Sequence, residues 1–454
     1  MRDQTNSTYA KLRIYLDQIP IVDTHEHRTG VIRPVTDILD FYFMEEYMPA
    51  DAESAAFGMP KDIMRRLVDG STRASFDERW NLFQLLYKQV RFTAYSRGLQ
   101  RGLQECWGVG DYGALETIQT LQEKFRTRDQ LFYEKTMQRN NIRACIVDLT
   151  DLKFFMECVD GRSEDYTSYC RFALRLSVFH AMHCKNDMLA LDLERYLGRT
   201  ITCLDDYLEA FEAFLKRCLD FGVICFKDHS AYRRTLAFGN PNKAEAEHAF
   251  NAMMASPRDM FGEETMRPLD DWLFHYFMRL AAKYRLPVQI HTGTVSRVRN
   301  EISKTNAVLL TPVLELHQDV HFDLFHGNWP YMDEYLFLGK NYPNVTLNLC
   351  WLHCIDPQYA VTLMKRAVQT IPHTKLYAYG GDCRNIELMV GYLAMAKDNA
   401  ARAMTELIEE GWLNEREAKE ILFAWFFKNP NEGYRLGLTL SENESDQLAA
   451  LRQF

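Results

Sequence analysis

Two histidines lie two residues apart at the end of a short apolar run in the stretch IVDTHEHRTG, residues 21–30. Residues i and i+2 of an extended strand point to the same side, so His25 and His27 could both reach one divalent ion while Glu26 points away. An HxH pair also occurs by chance, and a single histidine at a strand end is more often a surface or capped residue. The motif alone therefore leaves a metal site and a polar strand end both open.

Further polar residues follow other short apolar segments. His291 follows PVQI, His326 follows FDLF, and Asp382 lies in YAYGGDCRN. With the first pair they would supply the neutral imidazoles and hard carboxylate that suit Zn, Mn, Fe or Ni. Asp382 could act as ligand and general base, although GGD could also be a simple turn with a helix N-cap. His326 could ligate a second metal, polarise a substrate carbonyl, or be a core histidine.

The densest polar cluster is FKDHSAYRR, residues 226–234. Burying Lys227 near the end of an apolar strand is costly unless it is paired, because burial disfavours its charge. It could bind a substrate anion, transfer a proton, or bridge two metals as a carbamate; alternatively its chain could extend to solvent from the rim. Arginines beyond the strands could clamp a carboxylate or phosphate, which favours a small anionic substrate. These are Arg28, Arg233, Arg234, Arg297, Arg299 and Arg384.

Eight short apolar or β-branched segments are predicted as strands. They cover residues 19–27, 142–149, 187–194, 222–229, 287–293, 320–327, 344–351 and 374–383. Most are followed by a helical stretch, and this alternation predicts a parallel sheet. Eight such units favour a closed α/β (β/α)8 TIM-type barrel, although the count alone leaves a doubly wound sheet open. In a barrel, all the polar strand ends would meet at one mouth.

The chain has 454 residues and shows no internal repeat or Gly/Ser linker. We therefore predict a single barrel unit over residues 1–454. Residues 30–140 contain no convincing strand, and their apolar residues recur at helical spacing, which predicts a helical insertion over the barrel mouth. Residues 389–454 are predicted to be a C-terminal helical extension.

The composition is that of an ordinary globular protein, with 47% hydrophobic and 25% charged residues. A formal charge of -9 gives no reason to expect a nucleic-acid partner. The 11 cysteines show neither CxxC pairs nor framework spacing, which is typical of reduced thiols. With a polar N-terminus and no long apolar run, these features predict a soluble cytoplasmic protein without membrane contact. A homo-oligomer is left open.

The strand-end pattern resembles the amidohydrolase superfamily of metal-dependent (β/α)8 barrels. PVQIHTGT, FDLFHGNWPYMDEYLFLGKNYPNVTLNL and YGGDCRNIE are similar to the branch called amidohydrolase 2, which includes the amidohydrolase-like domain fused to glutamine synthetase in some fungi and plants. FKDHSAYRRTL is also similar to a stretch of that domain. The segment after Asp382 resembles the uronate isomerases. The resemblance covers residues 19–436, with the helical insertion matched only weakly.

This resemblance implies that His25, His27 and Asp382 are ligands of a catalytic metal. His291 would be a further ligand or a partner of the bound water, and His326 would contact substrate or water, or ligate a second ion. A strand-4 lysine is often carbamylated in two-metal members. The AYR that follows the lysine here is similar to the amidohydrolase 2 branch, where one-metal sites are common. One ion is therefore expected, zinc by default, with Mn, Fe or Ni as alternatives.

The implied activity is hydrolysis of an amide-like C–N bond in a small, carboxylated substrate. The metal would lower the pKa of its bound water, Asp382 would take the proton, and His326 or Lys227 would stabilise the oxyanion. Residues expected to contact the substrate are Arg28, Tyr232, Arg233, Trp329 and Arg384. A uronate-type isomerase and a non-oxidative decarboxylase are alternatives, and a non-catalytic binding barrel is the least favoured.

Overall fold

The computed structural model describes residues 7–32, 35, 37–42, 47–59, 66–67, 74–256, 258–296 and 298–453. Eight parallel strands form one sheet, in which each strand pairs with the next one along the chain. The strands are β1 Ile21–Glu26, β2 Ile142–Val147, β3 Cys170–Arg175, β4 Val223–Asp228, β5 Val288–Ile290, β6 Phe322–Leu324, β7 Val345–Asn348 and β8 Leu376–Tyr377. Parallel strands in sequential order are the arrangement of a TIM-type barrel.

The barrel closes through backbone hydrogen bonds between β1 and the segment that follows β8. Thr24 donates its N–H to the Tyr379 carbonyl at 3.1 Å, and Asp382 donates its N–H to the His25 carbonyl at 2.8 Å. The predicted fold class, a (β/α)8 barrel, is confirmed. Because these bonds join the HxH strand to the GGD segment, barrel closure also brings two parts of the candidate site together.

Seven predicted strands contain an observed strand within their bounds, but the third was wrong. Residues 187–194 were predicted as a strand, whereas Lys185–Ala190 is a helix and the third strand is Cys170–Arg175. Met188 and Leu191 are buried three residues apart, which is helical spacing. The actual strand, CRFALR, was missed because its two arginines interrupt the apolar run.

Helices lie between consecutive strands and at both ends of the chain. The α-helices are α1 Thr8–Gln18, α2 Ile38–Tyr42, α3 Tyr47–Ala55, α4 Phe76–Val90, α5 Ala94–Trp107, α6 Leu115–Arg126, α7 Gln130–Arg139, α8 Leu152–Val159, α9 Ser177–His180, α10 Lys185–Ala190, α11 Glu194–Leu197, α12 Leu204–Phe221, α13 Lys243–Ala255, α14 Glu263–Tyr284, α15 Thr311–Leu316, α16 Met332–Asn341, α17 Leu352–Ile355, α18 Pro357–Thr370, α19 Ile386–Glu409, α20 Glu415–Phe423, α21 Asn429–Gly433 and α22 Glu442–Gln453. A π-helix, Ala424–Lys428, joins α20 to α21.

Between β1 and β2, the described residues form helices α2 to α7 and loops, without a strand. Residues 33–34, 36, 43–46, 60–65 and 68–73 of this predicted insertion lie outside the described residues. All eleven cysteines are free thiols, as their spacing predicted. Among the described helices, none combines the length and apolarity needed to cross a membrane.

Helix α5 of this segment packs backbone to backbone against α19, the helix that follows Asp382. A Cβ atom at Gly102 would lie 1.9 Å from the Glu387 carbonyl oxygen, and one at Gly391 would lie 2.0 Å from the Gly98 carbonyl oxygen. Glycines at these positions permit the close approach of the two helices. The contact thus joins the segment after β1 to the helix that begins beside the candidate site.

Gly102→Ala is expected to lower the free energy of unfolding by about 1–3 kcal/mol, because the added methyl group must displace a backbone carbonyl. This loss would occur although alanine is the better helix former by about 1 kcal/mol. Urea denaturation measures the difference. Gly110→Ala is the matched control, since its Cβ would come no closer than 4.0 Å to Gln104 Oε1. Equal stability of both variants would contradict the packing described here.

Candidate metal centre

The two histidines of the HxH motif lie at the carboxyl end of β1 with their Nε2 atoms near Asp382. The distance to Asp382 Oδ1 is 3.0 Å from His27 and 3.7 Å from His25. All three side chains are largely buried. Glu26 faces the other side of the strand, where its Oε2 accepts the backbone N–H of Cys383 at 2.9 Å. The structure therefore brings three predicted ligands together.

Backbone carbonyls fix the tautomers of three site histidines. His27 Nδ1 lies 2.8 Å from the Asp148 carbonyl oxygen, and His326 Nδ1 lies 2.9 Å from the Cys350 carbonyl oxygen. Because a carbonyl can only accept, each Nδ1 carries the proton and each Nε2 keeps a lone pair. In His291 the order is reversed, because its Nε2 lies 2.8 Å from a backbone carbonyl three residues on. The Nδ1 atom of His291 then carries the lone pair.

These tautomers place two lone pairs against each other between His326 and His291, and, when His27 is neutral, a third lone pair against a carboxylate oxygen of Asp382. His326 Nε2 lies 3.0 Å from His291 Nδ1, and His27 Nε2 lies 3.0 Å from Asp382 Oδ1. Burial lowers the pKa of His291 well below its usual value and that of His326 to about 4, so a proton is disfavoured between them. A divalent ion about 2.0–2.1 Å from such nitrogens would satisfy the lone pairs. The donor set fits the predicted metal.

A proton competes with the metal at His27 in the metal-free protein. Burial alone would lower the pKa of His27, but the hydrogen bond and charge of Asp382 raise it above its usual value. Burial alone would raise the pKa of Asp382, but the same hydrogen bond and the nearby histidines hold it well below its usual value. Metal binding must therefore release the His27 proton.

Zinc affinity is accordingly expected to fall by up to about tenfold per pH unit once the pH drops below the pKa of His27. The sign follows from protonation, because imidazolium has no lone pair to offer to the metal. Competition with a chelator of known pH dependence, between about pH 5.5 and 8, measures this effect. A constant affinity across this range would contradict the assignment of His27 as a ligand.

Lys227 is fully buried near the end of β4. Its Nζ atom has no hydrogen-bond partner among the described residues and lies 3.6 Å from the centroid of the Phe325 ring. Burial lowers the pKa of Lys227 below its usual value. The side chain therefore does not extend to solvent from the rim, and that alternative is wrong. Anion binding, proton transfer and carbamylation are all compatible with this position.

Asp382 is held in a left-handed backbone conformation, with φ of 51°. Gly381 donates its N–H to Asp23 Oδ1 at 3.0 Å, and a Cβ atom at Gly381 would lie 2.2 Å from Glu26 Oε1. Gly380 is similarly enclosed. The two glycines are therefore required for close approach, whereas the strained conformation is that of Asp382 itself.

Other side chains in the site were not among the predicted site residues. Asp148, after β2, accepts hydrogen bonds from Arg175 at 3.1 and 2.9 Å and lies 3.2 Å from His229 Nε2. Donor atoms of Asp148 and His229 lie within 4.8 Å of those of the HxH pair. Tyr47, from α3, donates its hydroxyl to the Asp382 carbonyl. His229 belongs to the polar cluster predicted after the fourth strand, although no role was assigned to it, and Asp148 could have been found as a strand-end residue, but Tyr47 carries no comparable signal.

Two cavities open at this end of the barrel. The smaller has a volume of about 50 Å³ and the larger one of about 360 Å³. The smaller is lined by His25, His27, Tyr47, Lys227, His229, Tyr232, His291, Ser296, Asp382 and Arg384. Both include His27 and Arg384 in their linings. A small ligand could therefore have one end at the donor cluster and its remainder in the larger cavity.

The predicted substrate-binding residues occupy different positions. Tyr232 and the exposed Arg384 line the smaller cavity, whereas Arg233 lines a separate one. Arg28 lines the larger cavity but is buried, and pairs with Glu26 at 3.1 Å. Two of the other arginines are placed elsewhere or not described: Arg234 pairs with Asp270 and Asp271, and Arg297 lies outside the described residues.

Trp329 follows the His326–Asn328 turn and is partly buried. Its indole N–H donates to Asp356 Oδ2 at 3.4 Å, and its carbonyl accepts the backbone N–H of Thr294 at 3.0 Å. This second bond links the turn after β6 to the loop after β5. Trp329 therefore supports the segment that carries His326, without lining either of the two cavities described above.

Comparisons with known proteins relate part of this chain to a known family. Residues 239–383 match the amidohydrolase family model. Protein fluG of Emericella nidulans is 26% identical in an alignment of 190 residues that covers 38% of this chain and 21% of fluG. The chain thus spans only about a fifth of that curated relative.

Three solved structures share the fold over nearly the whole chain. The uronate isomerase of Thermotoga maritima has a TM-score of 0.77 and 14% identity, covering 94% of this chain and 97% of that one. The glucuronate isomerase of Caulobacter crescentus has a TM-score of 0.75 and 15% identity, covering 97% of this chain and 96% of that one. A protein of Lactobacillus casei that is assigned as a metal-dependent hydrolase has a TM-score of 0.65 and 17% identity, covering 94% of this chain and 99% of that one.

The matched family segment carries His291, His326 and Asp382, the donors contributed by the later strands. Barrel closure places the HxH motif of β1 beside them. The fold likeness covers 94% and 97% of this chain in the two isomerases. Residues 239–383 are therefore similar to the amidohydrolase family, and the overall fold is similar to that of the uronate isomerases.

Proposed function

We propose that this chain is a metal-dependent hydrolase that cleaves an amide-like C–N bond in a small anionic substrate. The observation that carries the proposal is the contact of two ring-nitrogen lone pairs at 3.0 Å, His326 Nε2 and His291 Nδ1, near the carboxylate of Asp382. Lone pairs held this close inside a buried site call for a bound cation. An exposed arginine, Arg384, lies where the two cavities meet and supplies the charge for an anionic substrate.

In this proposal His25, His27, His291 and Asp382 hold the metal. The ion supplies a Lewis acid that activates water and polarises a carbonyl group. Asp382 directs Oδ1 toward the HxH pair, while its Oδ2 lies 4.0 Å from His326 Nε2. Asp382 would accept the proton of the attacking water and then donate it to the leaving nitrogen.

The groups around the small cavity would bind the rest of the substrate. Lys227 would stabilise the negative charge that develops on the carbonyl oxygen, since its Nζ has no described hydrogen-bond partner to lose. His326, whose Nε2 atom keeps a lone pair, would accept a hydrogen bond from the attacking water. Arg384 would bind a carboxylate, and Tyr232, whose ring centroid lies 4.7 Å from that of His291, would pack against the substrate.

One ion is favoured over two, with zinc as the expected metal. A second cation beside His326 would lie close to the amine of Lys227, and an unmodified lysine ammonium would repel it. Carbamylation would remove that repulsion, so mass spectrometry of the intact protein distinguishes the two cases. Manganese, iron and nickel also suit this donor set.

A uronate-type isomerase is the second candidate. It is favoured by the fold likeness to two uronate isomerases over 94% and 97% of this chain. In that reaction the same donors would bind a sugar hydroxyl and carbonyl while a base moves a proton. A non-oxidative decarboxylase is a third possibility on the same scaffold, although no contact among the described residues of the site favours it specifically.

A substrate panel tests the proposal. Zinc-loaded protein is incubated with N-acyl amino acids, followed by detection of released amine, and in parallel with glucuronate and fructuronate, followed by detection of interconversion. Release of amine supports the hydrolase, whereas uronate interconversion without amine release would replace it by the isomerase. Alanine at His25 serves as the control in both assays, because either activity should disappear with the metal.

Cellular and partner assignments rest on composition alone. We propose a cytoplasmic location, a small-molecule substrate and no nucleic-acid or membrane partner, since the net charge is modest at -9. A homo-oligomer is compatible with exposed apolar side chains such as Phe92 and Trp412. Sedimentation of the purified chain measures its oligomeric state directly.

A further inference from the structure

Gln289, on β5, links the metal-site residue His25 to the C-terminal part of the chain. Its Nε2 atom donates to the Thr24 carbonyl at 2.9 Å and to the Tyr434 hydroxyl at 2.9 Å. Its Oε1 atom lies 3.0 Å from His25 Nδ1. Because the Thr24 carbonyl can only accept, the amide nitrogen must face it, and the amide oxygen must face His25. His25 Nδ1 therefore carries the proton, and Nε2 keeps its lone pair toward Asp382.

Tyr434 supplies the second anchor for this amide. Its hydroxyl donates to Asp323 Oδ2, which also accepts from Asn348 Nδ2 at 2.9 Å. Since the hydroxyl proton is directed to Asp323, the oxygen of Tyr434 is left as an acceptor for Gln289. The amide of Gln289 thus has both of its N–H groups satisfied by fixed partners.

Tyr434 reaches Gln289 from inside the barrel. It follows α21 and packs in a buried cluster with Ile146 of β2, Ala173 of β3, Cys225 of β4 and Tyr377 of β8. The C-terminal segment therefore contributes a side chain to the interior of the barrel. The hydrogen bonds from Tyr434 through Gln289 to His25 connect this interior cluster to the candidate metal centre.

We propose that Tyr434 is a positioning residue of the metal centre, which acts through Gln289 to hold His25 in the tautomer and orientation that a metal requires. This inference rests on the proposed metal centre. Partners that orient a ligating histidine typically change metal affinity by about 10–100-fold when removed. Tyr434 contacts Gln289, which in turn contacts His25, so we expect its removal to change metal affinity less than the removal of Gln289 itself.

The test compares Tyr434→Phe with Tyr377→Phe. Both tyrosines are 2% exposed and lie in the same cluster. Of the two, only Tyr434 forms a described hydrogen bond with Gln289. Zinc affinity, measured by chelator competition, is expected to weaken about three- to tenfold in Tyr434→Phe and to stay within about twofold in Tyr377→Phe. The d–d absorption of cobalt-substituted protein is expected to shift only in Tyr434→Phe. Equal effects in the two variants, or none in Tyr434→Phe, would overturn the proposal.

A double-mutant cycle tests the route through Gln289. Gln289→Leu alone is expected to weaken zinc binding by roughly 10–100-fold, and adding Tyr434→Phe should then cause no further loss. A further loss of zinc affinity in the Gln289→Leu background would show that Tyr434 acts on the metal centre by a route other than Gln289. Should Tyr434→Phe fail to fold, unchanged zinc affinity in Gln289→Leu would overturn the proposal on its own. If the unmodified protein binds no metal, the proposed function fails. If the unmodified protein binds zinc and the variants bind it with the same affinity, only the positioning role fails.

Discussion

Asp382→Asn is expected to lose stoichiometric metal and to lower kcat/KM by at least about 10³-fold, which corresponds to roughly 4 kcal/mol of transition-state stabilisation. The variant keeps the size of the side chain but removes the negative charge beside His25 and His27, at 3.7 and 3.0 Å. It also removes the only carboxylate to which the proposal assigns proton transfer. Metal analysis and steady-state kinetics measure the two losses.

Glu387→Gln is the matched control for this prediction. Glu387 is a fully buried carboxylate five residues further on, and it pairs with Arg128 at 3.0 Å. Removing its charge breaks the buried ion pair with Arg128, which is expected to lower stability by roughly 3–5 kcal/mol while metal content is retained. Full activity of Asp382→Asn, or equal metal loss in both variants, would show that the metal is not held at Asp382.

Lys227→Met is expected to lower kcat/KM by about 10²–10³-fold while leaving the free energy of unfolding unchanged or raising it by about 1–4 kcal/mol. The physical reason is that Lys227 Nζ is buried without a described hydrogen-bond partner, so the protein bears the cost of burying the amine without a compensating bond. Methionine replaces the aliphatic part of the lysine side chain and lacks the terminal amine. Denaturation and kinetics are measured on the same preparation.

Lys397, a second buried lysine, is the matched control for the Lys227→Met prediction. Lys397 is also almost fully buried but bonds to Asp17 at 3.1 Å, remote from the cavities. Lys397→Met is expected to destabilise the protein and to leave kcat/KM of the folded fraction unchanged. If Lys227→Met instead destabilises the fold and keeps full activity, Lys227 is structural and its assigned role in catalysis is wrong.

The barrel and its main donor residues were predictable because a parallel barrel brings every strand end to one mouth. Once His25, His291 and Asp382 were recognised as strand-end residues, their meeting followed from topology without knowledge of side-chain packing. The tautomer of each histidine was not predictable. It depends on single carbonyl groups, such as that of Cys350 for His326, whose positions only the folded backbone defines.

Residues contributed by distant segments escaped prediction for physical reasons. Arg175 was missed because the strand that carries it was placed elsewhere in the sequence. Tyr434 lies 145 residues from its partner Gln289 and has no local motif. Arg28 was expected to face the substrate, but its pairing with Glu26 and Asp23 depends on how tightly the segment after β8 packs against β1.

Metal content of the purified chain tests the central claim most directly. The protein is incubated with zinc, freed of unbound ions, and analysed by plasma mass spectrometry beside His25→Ala prepared in the same way. The account predicts one zinc ion per chain in the unaltered protein and no stoichiometric zinc in His25→Ala. An unaltered protein that retains no divalent metal, or a His25→Ala variant that retains as much, would contradict the metal centre.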